Sequence, residues 1–292
     1  MTDAGKRRRL LISLILACVL LTGCATSTRW LFYPDTRYYQ LPDRLGIPYQ
    51  TVYLFPEPEI TLVNWWLAPD RARCGTVLFL HGNGENLSTH MNSVAWLTRH
   101  GWSVFLLDYR GYGRSAGTST LETALADVHA AHHWLSAHTE GPLVLFGQSL
   151  GGALAIDYLS RPELSGAPHE GLRPFRALIT ESAPASWPQI AREAMARHWL
   201  SWPLVLPAML IPDDHDAEQR IANVNGLPVL LLHSPEDPIV GFHHARQILA
   251  HAPPSVRLLE TRGPHIAGLA DAQIRQAFLE QIETASGKRC RP

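Results

Sequence analysis

The stretch Leu143-Val144-Leu145-Phe146-Gly147-Gln148-Ser149-Leu150-Gly151-Gly152-Ala153-Leu154-Ala155-Ile156-Asp157-Tyr158-Leu159 reads as strand, sharp turn and helix with no spare residues. Four consecutive apolar residues open it, the pattern of a strand buried on both faces of a parallel sheet. Small residues follow the serine and give way to an apolar helical run. The turn between them is Gly-x-Ser-x-Gly, in which flanking glycines tolerate a crowded backbone and the serine oxygen stands at the top of the sheet.

Chance alone supplies about 0.1 such pentapeptides in a chain of this composition, so the surroundings must decide. A second match, Gly113-Arg114-Ser115-Ala116-Gly117, makes the point. Ser115 sits in a polar, glycine-rich stretch, with strand pattern ending near Asp108 and helix pattern resuming only near Ser119 or Thr120. It has no elbow and reads as a loop residue hydrogen-bonding its own backbone. Ser149 is the candidate nucleophile.

Working outward, the pattern alternates. Strands are expected at 49–55, 62–67, 76–80, 103–108, 143–147, 176–182, 228–233 and 255–259, and helices at 85–100, 119–138, 150–160, 240–252 and 269–285. The first two strands have no helix between them; the rest follow the rhythm of a mostly parallel sheet. Such sheets bind ligands at the carboxyl ends of their strands. Four chemistry-bearing segments fall there: His81-Gly82-Asn83-Gly84, Ser149, Asp237 in Ser234-Pro235-Glu236-Asp237-Pro238-Ile239-Val240, and His265 in Gly263-Pro264-His265-Ile266-Ala267-Gly268.

With these residues in place, the chain resembles the α/β-hydrolase superfamily over nearly all of residues 45–285. It is most similar to a serine aminopeptidase-like branch carrying a His-Gly-Asn loop, here 81–83, and an Asp-Tyr-Arg-Gly-Tyr-Gly loop, here 108–113. The order serine, acid, histidine, with separations of 88 and 28 residues, matches as well. The resemblance implies an α/β-hydrolase fold: a mostly parallel eight-stranded sheet flanked by helices, with a helical cap inserted after the sixth strand, at about 184–220. It implies no cofactor.

The implied roles have physical reasons. A serine hydroxyl needs a base to take its proton as it attacks; His265 is that base, although Pro264 stands where the family usually has glycine. Asp237 would hold the imidazole in the right tautomer; Glu236 is its neighbouring competitor, and the family places the acid directly before Pro-Ile-Val. The oxyanion donors are the backbone N–H groups of Leu150 and Asn83. The serine excludes dehalogenase and epoxide-hydrolase chemistry, which would need a carboxylate at position 149. An ester, thioester or small amide substrate, an acyl transfer or peptidase reaction with the same triad, and a non-catalytic binding lipoprotein stay open.

The first residues speak to location. Lys6-Arg7-Arg8-Arg9 precedes an apolar run from Leu10 to Leu21, too short to span a bilayer and right for a signal-peptide core. It runs into Leu21-Thr22-Gly23-Cys24, which resembles the bacterial lipobox. Residues 1–23 are then a lipoprotein signal peptide, Cys24 the lipidated N-terminus, 24–44 a tether and arm, 45–285 the hydrolase domain and 286–292 a tail. Ala25, where an Asp would favour inner-membrane retention, leans the resemblance towards the outer membrane, periplasmic side. Removing residues 1–23 shifts the net charge from −1 to −4. No basic stripe with interleaved aromatics appears, which argues against a nucleic-acid partner. Cys74 and Cys290 could pair in an oxidising compartment.

The remaining histidines suggest no metal site. His129, His132 and His133 share one expected helix face, read as solvated, as do His243 and His244; His233 ends a strand beside the acid loop. The 184–220 segment, with Trp187, Trp199 and Trp202, reads as a helical cap burying apolar residues, or as an acyl-binding wall or membrane-facing lid.

Overall fold

The computed structural model describes residues 28–69, 74–166, 171–197 and 211–287. Eight strands are found where the apolar runs placed them: β1 Tyr49–Glu57, β2 Ile60–Leu67, β3 Gly75–Leu80, β4 Trp102–Leu107, β5 Leu143–Gln148, β6 Phe175–Glu181, β7 Val229–His233 and β8 Val256–Glu260. They form one sheet in the order β1-β2-β4-β3-β5-β6-β7-β8. β2 runs antiparallel to both its neighbours, and every later pairing is parallel. Five longer helices accompany the sheet: α1 Leu121–His138, α2 Leu150–Leu159, α3 Trp187–Ala196, α4 Phe242–Ala250 and α5 Ala272–Ser286. None of the described helices is long and apolar enough to cross a membrane.

The continuous apolar runs are explained by burial on both faces. Alternate residues of each central strand enter different cores, as a period of two requires. Leu143 and Leu145 join Leu78, Phe105 and Leu178 in a core covered by α1 and α2. Val144 and Phe146 join Phe79, Leu106 and Ile179 in a second core, covered by Met91, Leu97 and the Ile274, Phe278 and Ile282 stripe of α5.

The expected helix at 85–100 is not continuous. One α-turn, Leu87–His90, passes into 3-10 segments at Met91–Ser93 and Ala95–His100. Thr98 Oγ1 and Trp96 Nε1 each donate to the carbonyl three residues back, and Val94 leaves helical geometry at φ −125°. Such local bonds compete with the α-helical ladder. By contrast α1 starts where Thr120 and Thr123 cap each other reciprocally.

The insertion after β6 opens with α3, whose N-cap Ser186 accepts the Gln189 N–H, and closes with a turn at Ala217–Arg220. Trp199 and Trp202 lie outside the described residues. The far end of the insertion is pinned to α2: His215 Nδ1 lies 2.5 Å from Asp157 Oδ2, and Arg220 Nε lies 3.3 Å from Asp157 Oδ1. Residues 28–44 are more than a tether. Thr28–Leu31 and Pro42–Leu45 form 3-10 turns, and the segment between them is hydrogen-bonded along the loops after β3 and β4.

Candidate active site

Ser149 occupies the turn between β5 and α2 with φ +51° and ψ −118°, a left-handed conformation that a side chain rarely adopts. Two of the motif's glycines are required by contact. A Cβ on Gly147 would sit 2.2 Å from Gly151 O, and one on Gly151 would sit 2.1 Å from Leu80 O. The elbow thus presses α2 against the end of β3. Ser115 is committed elsewhere: its hydroxyl donates to Asp108 O and accepts the Val63 N–H, each at 2.9 Å, within a buried loop.

The acid and base meet as their order implied. His265 Nδ1 donates to Asp237 Oδ2 at 2.7 Å, while Asp237 Oδ1 accepts the Ile239 and Val240 N–H groups. Burial pushes the Asp237 carboxyl up, but the His265 hydrogen bond and charge and the two N–H groups outweigh it and lower it to about 2. Asp237 is therefore ionised at neutral pH and fixes the proton on His265 Nδ1, leaving Nε2 as the basic atom. Glu236, the competitor, instead accepts the Gly263 N–H at 2.9 Å and steadies the histidine loop. His233 donates to Val240 O at 2.8 Å from beneath the acid loop, its pKa lowered by burial. Among the described residues the Ser149 hydroxyl is not hydrogen-bonded to His265; in substrate-free enzymes this contact is often loose and tightens in the Michaelis complex.

Glu181, at the end of β6, escaped sequence reasoning. Its backbone carbonyl accepts the Ser149 N–H at 2.7 Å. Its carboxylate accepts Gln148 Nε2 at 2.6 Å and the Gly268 N–H at 2.7 Å. One buried residue thus ties the Ser149 elbow to the loop bearing His265. Burial raises its carboxyl above the ordinary value against the pull of those donors. A lone acid at a strand end carries no sequence signal, because its partners lie 33 and 87 residues away.

The His-Gly-Asn loop lies against the elbow: a Cβ on Gly82 would be 3.4 Å from Ser149 Cβ. Among the described residues the Asn83 and Leu150 N–H groups have no protein acceptor, as oxyanion donors require. The Asn83 side chain is engaged at both of its polar atoms. Its Oδ1 accepts the Tyr33 N–H, the Gly84 N–H and the Tyr112 hydroxyl, and its Nδ2 donates to Leu31 O.

The Asp-Tyr-Arg-Gly-Tyr-Gly loop is the buttress beneath. Asp108 accepts the Leu87 N–H and faces His81 Nε2 at 3.2 Å, Tyr109 OH donates to His81 O, and Arg110 grips Asp127 and Glu57. Gly113 must be glycine, since a Cβ would fall 1.9 Å from Asp108 Oδ2.

Ser149, Asn83 and Leu150 line a cavity of about 460 Å³, within the usual range for small-molecule sites. Its floor and walls are apolar: Leu31, Trp187, Ile190, Ala191, Met195, Ile211 and Val240. Trp30, Leu31 and Tyr33 of the arm complete it, a contribution of tertiary packing that local pattern could not reveal.

Two of the histidine groups differ from expectation. His132 is not solvated but buried, holding Tyr158 OH at Nδ1 and Arg173 O at Nε2, and burial lowers its pKa to about 4. His244 is also buried. Its Nδ1 accepts the Ala185 N–H, so Nε2 carries the proton and donates to Glu193, which His243 also meets. These three could hold a metal by distance alone. The fixed tautomer opposes it, because metal on Nε2 would put the proton on Nδ1 against Ala185 N–H. Cys74 is disulfide-bonded; Cys290 and Cys24 lie outside the described residues.

The family described as serine aminopeptidase, S33, matches residues 71–215. The uncharacterized protein YfhR of Escherichia coli K12 is 29% identical over 262 residues, 87% of this chain and 85% of that protein. The alpha/beta hydrolase domain-containing protein aho-3 of Caenorhabditis elegans is 28% identical over 213 residues, 72% of this chain and 56% of that one. Among solved structures, the esterase Pf2001 of Pyrococcus furiosus superposes with a TM-score of 0.70 at 21% identity, covering 88% of this chain and 98% of its own. At that identity the structural likeness speaks for the fold.

Proposed function

We propose that this chain, which belongs to the α/β-hydrolase superfamily, is a serine hydrolase that cleaves an acyl ester through an acyl-enzyme on Ser149. The observation that carries this is the 2.7 Å hydrogen bond from His265 to an ionised Asp237, on a loop that Glu181 ties to the strained Ser149 elbow. His265 Nε2 takes the Ser149 proton as Oγ attacks the acyl carbon. Asp237 stabilises the imidazolium. The Asn83 and Leu150 N–H groups receive the oxyanion. Collapse returns the proton from His265 to the leaving alcohol. Water, activated by the same histidine, then releases the acid and restores Ser149.

The apolar walls favour an acyl chain as the recognised group over a charged or peptidic one. A series of p-nitrophenyl esters of increasing chain length tests this. We expect kcat/KM to rise from acetate into medium chains and to fall by about 10⁶ in His265→Ala, as loss of a triad histidine does. Equal turnover of all lengths, or wild-type turnover in His265→Ala, would contradict it.

The same chain is proposed to be a membrane lipoprotein, acylated at Cys24 and held at the periplasmic face of the outer membrane. The apolar run before Cys24 and the disulfide at Cys74, a bond of oxidising compartments, support this.

A further inference from the structure

Large apolar side chains exposed on one small area of a protein mark a surface that meets something apolar. Trp30 is 78% exposed, Tyr33 68% and Ile239 47%, and all three line the mouth of the cavity that holds Ser149. Deeper in the same cavity Leu150 and Trp187 are buried. The cavity therefore has a dry floor and an apolar rim facing outward.

This rim is built. The arm that carries Trp30 and Tyr33 is fixed on both sides of them: Thr28 Oγ1 accepts the Leu121 N–H, Asn83 clamps Leu31 O and the Tyr33 N–H, Asp35 N–H donates to Glu85 O, and Asp35 O accepts the Gly113 N–H. Held in this way, the two aromatic rings do not fold back to cover themselves. Their chemistry is that of the membrane interface, where amphipathic Trp and Tyr rings sit at headgroup level. Exposed Arg197 lines the same cavity and donates to Ile239 O, and exposed Arg29 directly precedes Trp30 in the chain. Cations beside an interfacial aromatic rim suit anionic headgroups.

The chain's connectivity supplies the partner. Cys24 lies four residues before Thr28 and six before Trp30. Six extended residues span at most roughly 20 Å. An acyl anchor on Cys24 thus holds the rim within about half a bilayer's thickness of the lipid surface. We infer that the mouth of this cavity seats on the bilayer, with Trp30, Tyr33 and Ile239 at headgroup depth, and that the enzyme draws its acyl ester directly from the membrane lipid. An acyl chain then passes from bilayer to cavity without crossing water. This rests on the serine-hydrolase and Cys24-lipidation proposals, and its test is chosen to fail separately from both.

The full-length protein is mixed with vesicles of phosphatidylcholine and phosphatidylglycerol whose acyl chains are brominated near the headgroup, which quench only tryptophans at that depth. Residues 1–29 contain no tryptophan, so Trp30 is the first in the chain. Quenching is expected in wild type and in Ser149→Ala, and most of it is lost in Trp30→Phe. In parallel, the ratio of turnover on vesicle-borne p-nitrophenyl dodecanoate to that on dissolved p-nitrophenyl acetate is expected to fall at least tenfold in Trp30→Ser/Tyr33→Ser. Quenching that persists undiminished in Trp30→Phe, or an unchanged ratio, overturns the inference. So does a Trp30→Cys variant that cross-links to a second copy in the presence of vesicles, which would make the rim a dimer interface. Quenching without turnover of either ester would instead overturn the hydrolase proposal and leave the docking standing. Fatty-acid incorporation in the same preparation reads the anchor independently of both.

Discussion

Asp237 and Glu181 are both buried carboxylates, yet their surroundings move them in opposite directions. Asp237 is held at about 2, below the 3.8 of a free aspartate, whereas burial dominates at Glu181 and raises it. A folded carboxyl with a depressed pKa contributes stability that is present above the unfolded value and lost as pH falls through the folded one. The urea midpoint of wild type should therefore drop more between pH 4 and pH 2 than that of Asp237→Asn; parallel curves would contradict the assignment. The same variant should lower kcat about 10³–10⁴-fold, because Asn favours the wrong His265 tautomer. Glu181→Ala frees the Gly268 end of the histidine loop. A misplacement of about 1 Å costs on the order of 10² in rate, so kcat should fall by about that factor, while Glu181→Gln, which keeps an acceptor, retains more. Equal loss in the two would contradict a positioning role carried by the Gly268 bond and assign it to the charge or the second acceptor oxygen. Ser149, Asp237 and His265 were legible because each sits in a local pattern just past an apolar strand. Glu181 was not, because its function exists only where three distant loops converge.

At the scale of elements, the strands were readable because burial on both faces makes them unbroken apolar runs, and this property is local. The 85–100 segment misled for a related reason. Its apolar spacing fits a helix, but Thr98 and Trp96 bond to carbonyls three residues back and tighten the path into 3-10 turns. The elbow is the least tolerant junction. A methyl on Gly151 would meet the backbone of Leu80 at 2.1 Å, and neither β3 nor α2 can retreat without parting the sheet from its helix. Gly151→Ala should destabilise the fold by about 3 kcal/mol, the upper range of overpacking, read as a lowered urea midpoint. By contrast, the arm's part in the cavity wall was not legible, since the contact of Tyr33 with Asn83 spans 50 positions.

Across the whole molecule, the loops after β3, β5, β6, β7 and β8 converge at one end of the sheet, and the N-terminal arm reaches the same end. The anchor proposed at Cys24 would therefore act on the site. Cys24→Ser should move the protein from the membrane fraction and abolish fatty-acid labelling; labelling that survives would refute lipidation. The central claim is chemical and rests on a single oxygen. Two Gly-x-Ser-x-Gly serines are present: Ser115 has its hydroxyl spent on Asp108 and Val63, and Ser149 stands at the strained elbow. Incubation with a fluorophosphonate probe separates them. Labelling should persist in Ser115→Ala, provided that variant folds as judged by circular dichroism, and vanish in Ser149→Ala; labelling retained in Ser149→Ala, or absent from the wild type, would contradict the account.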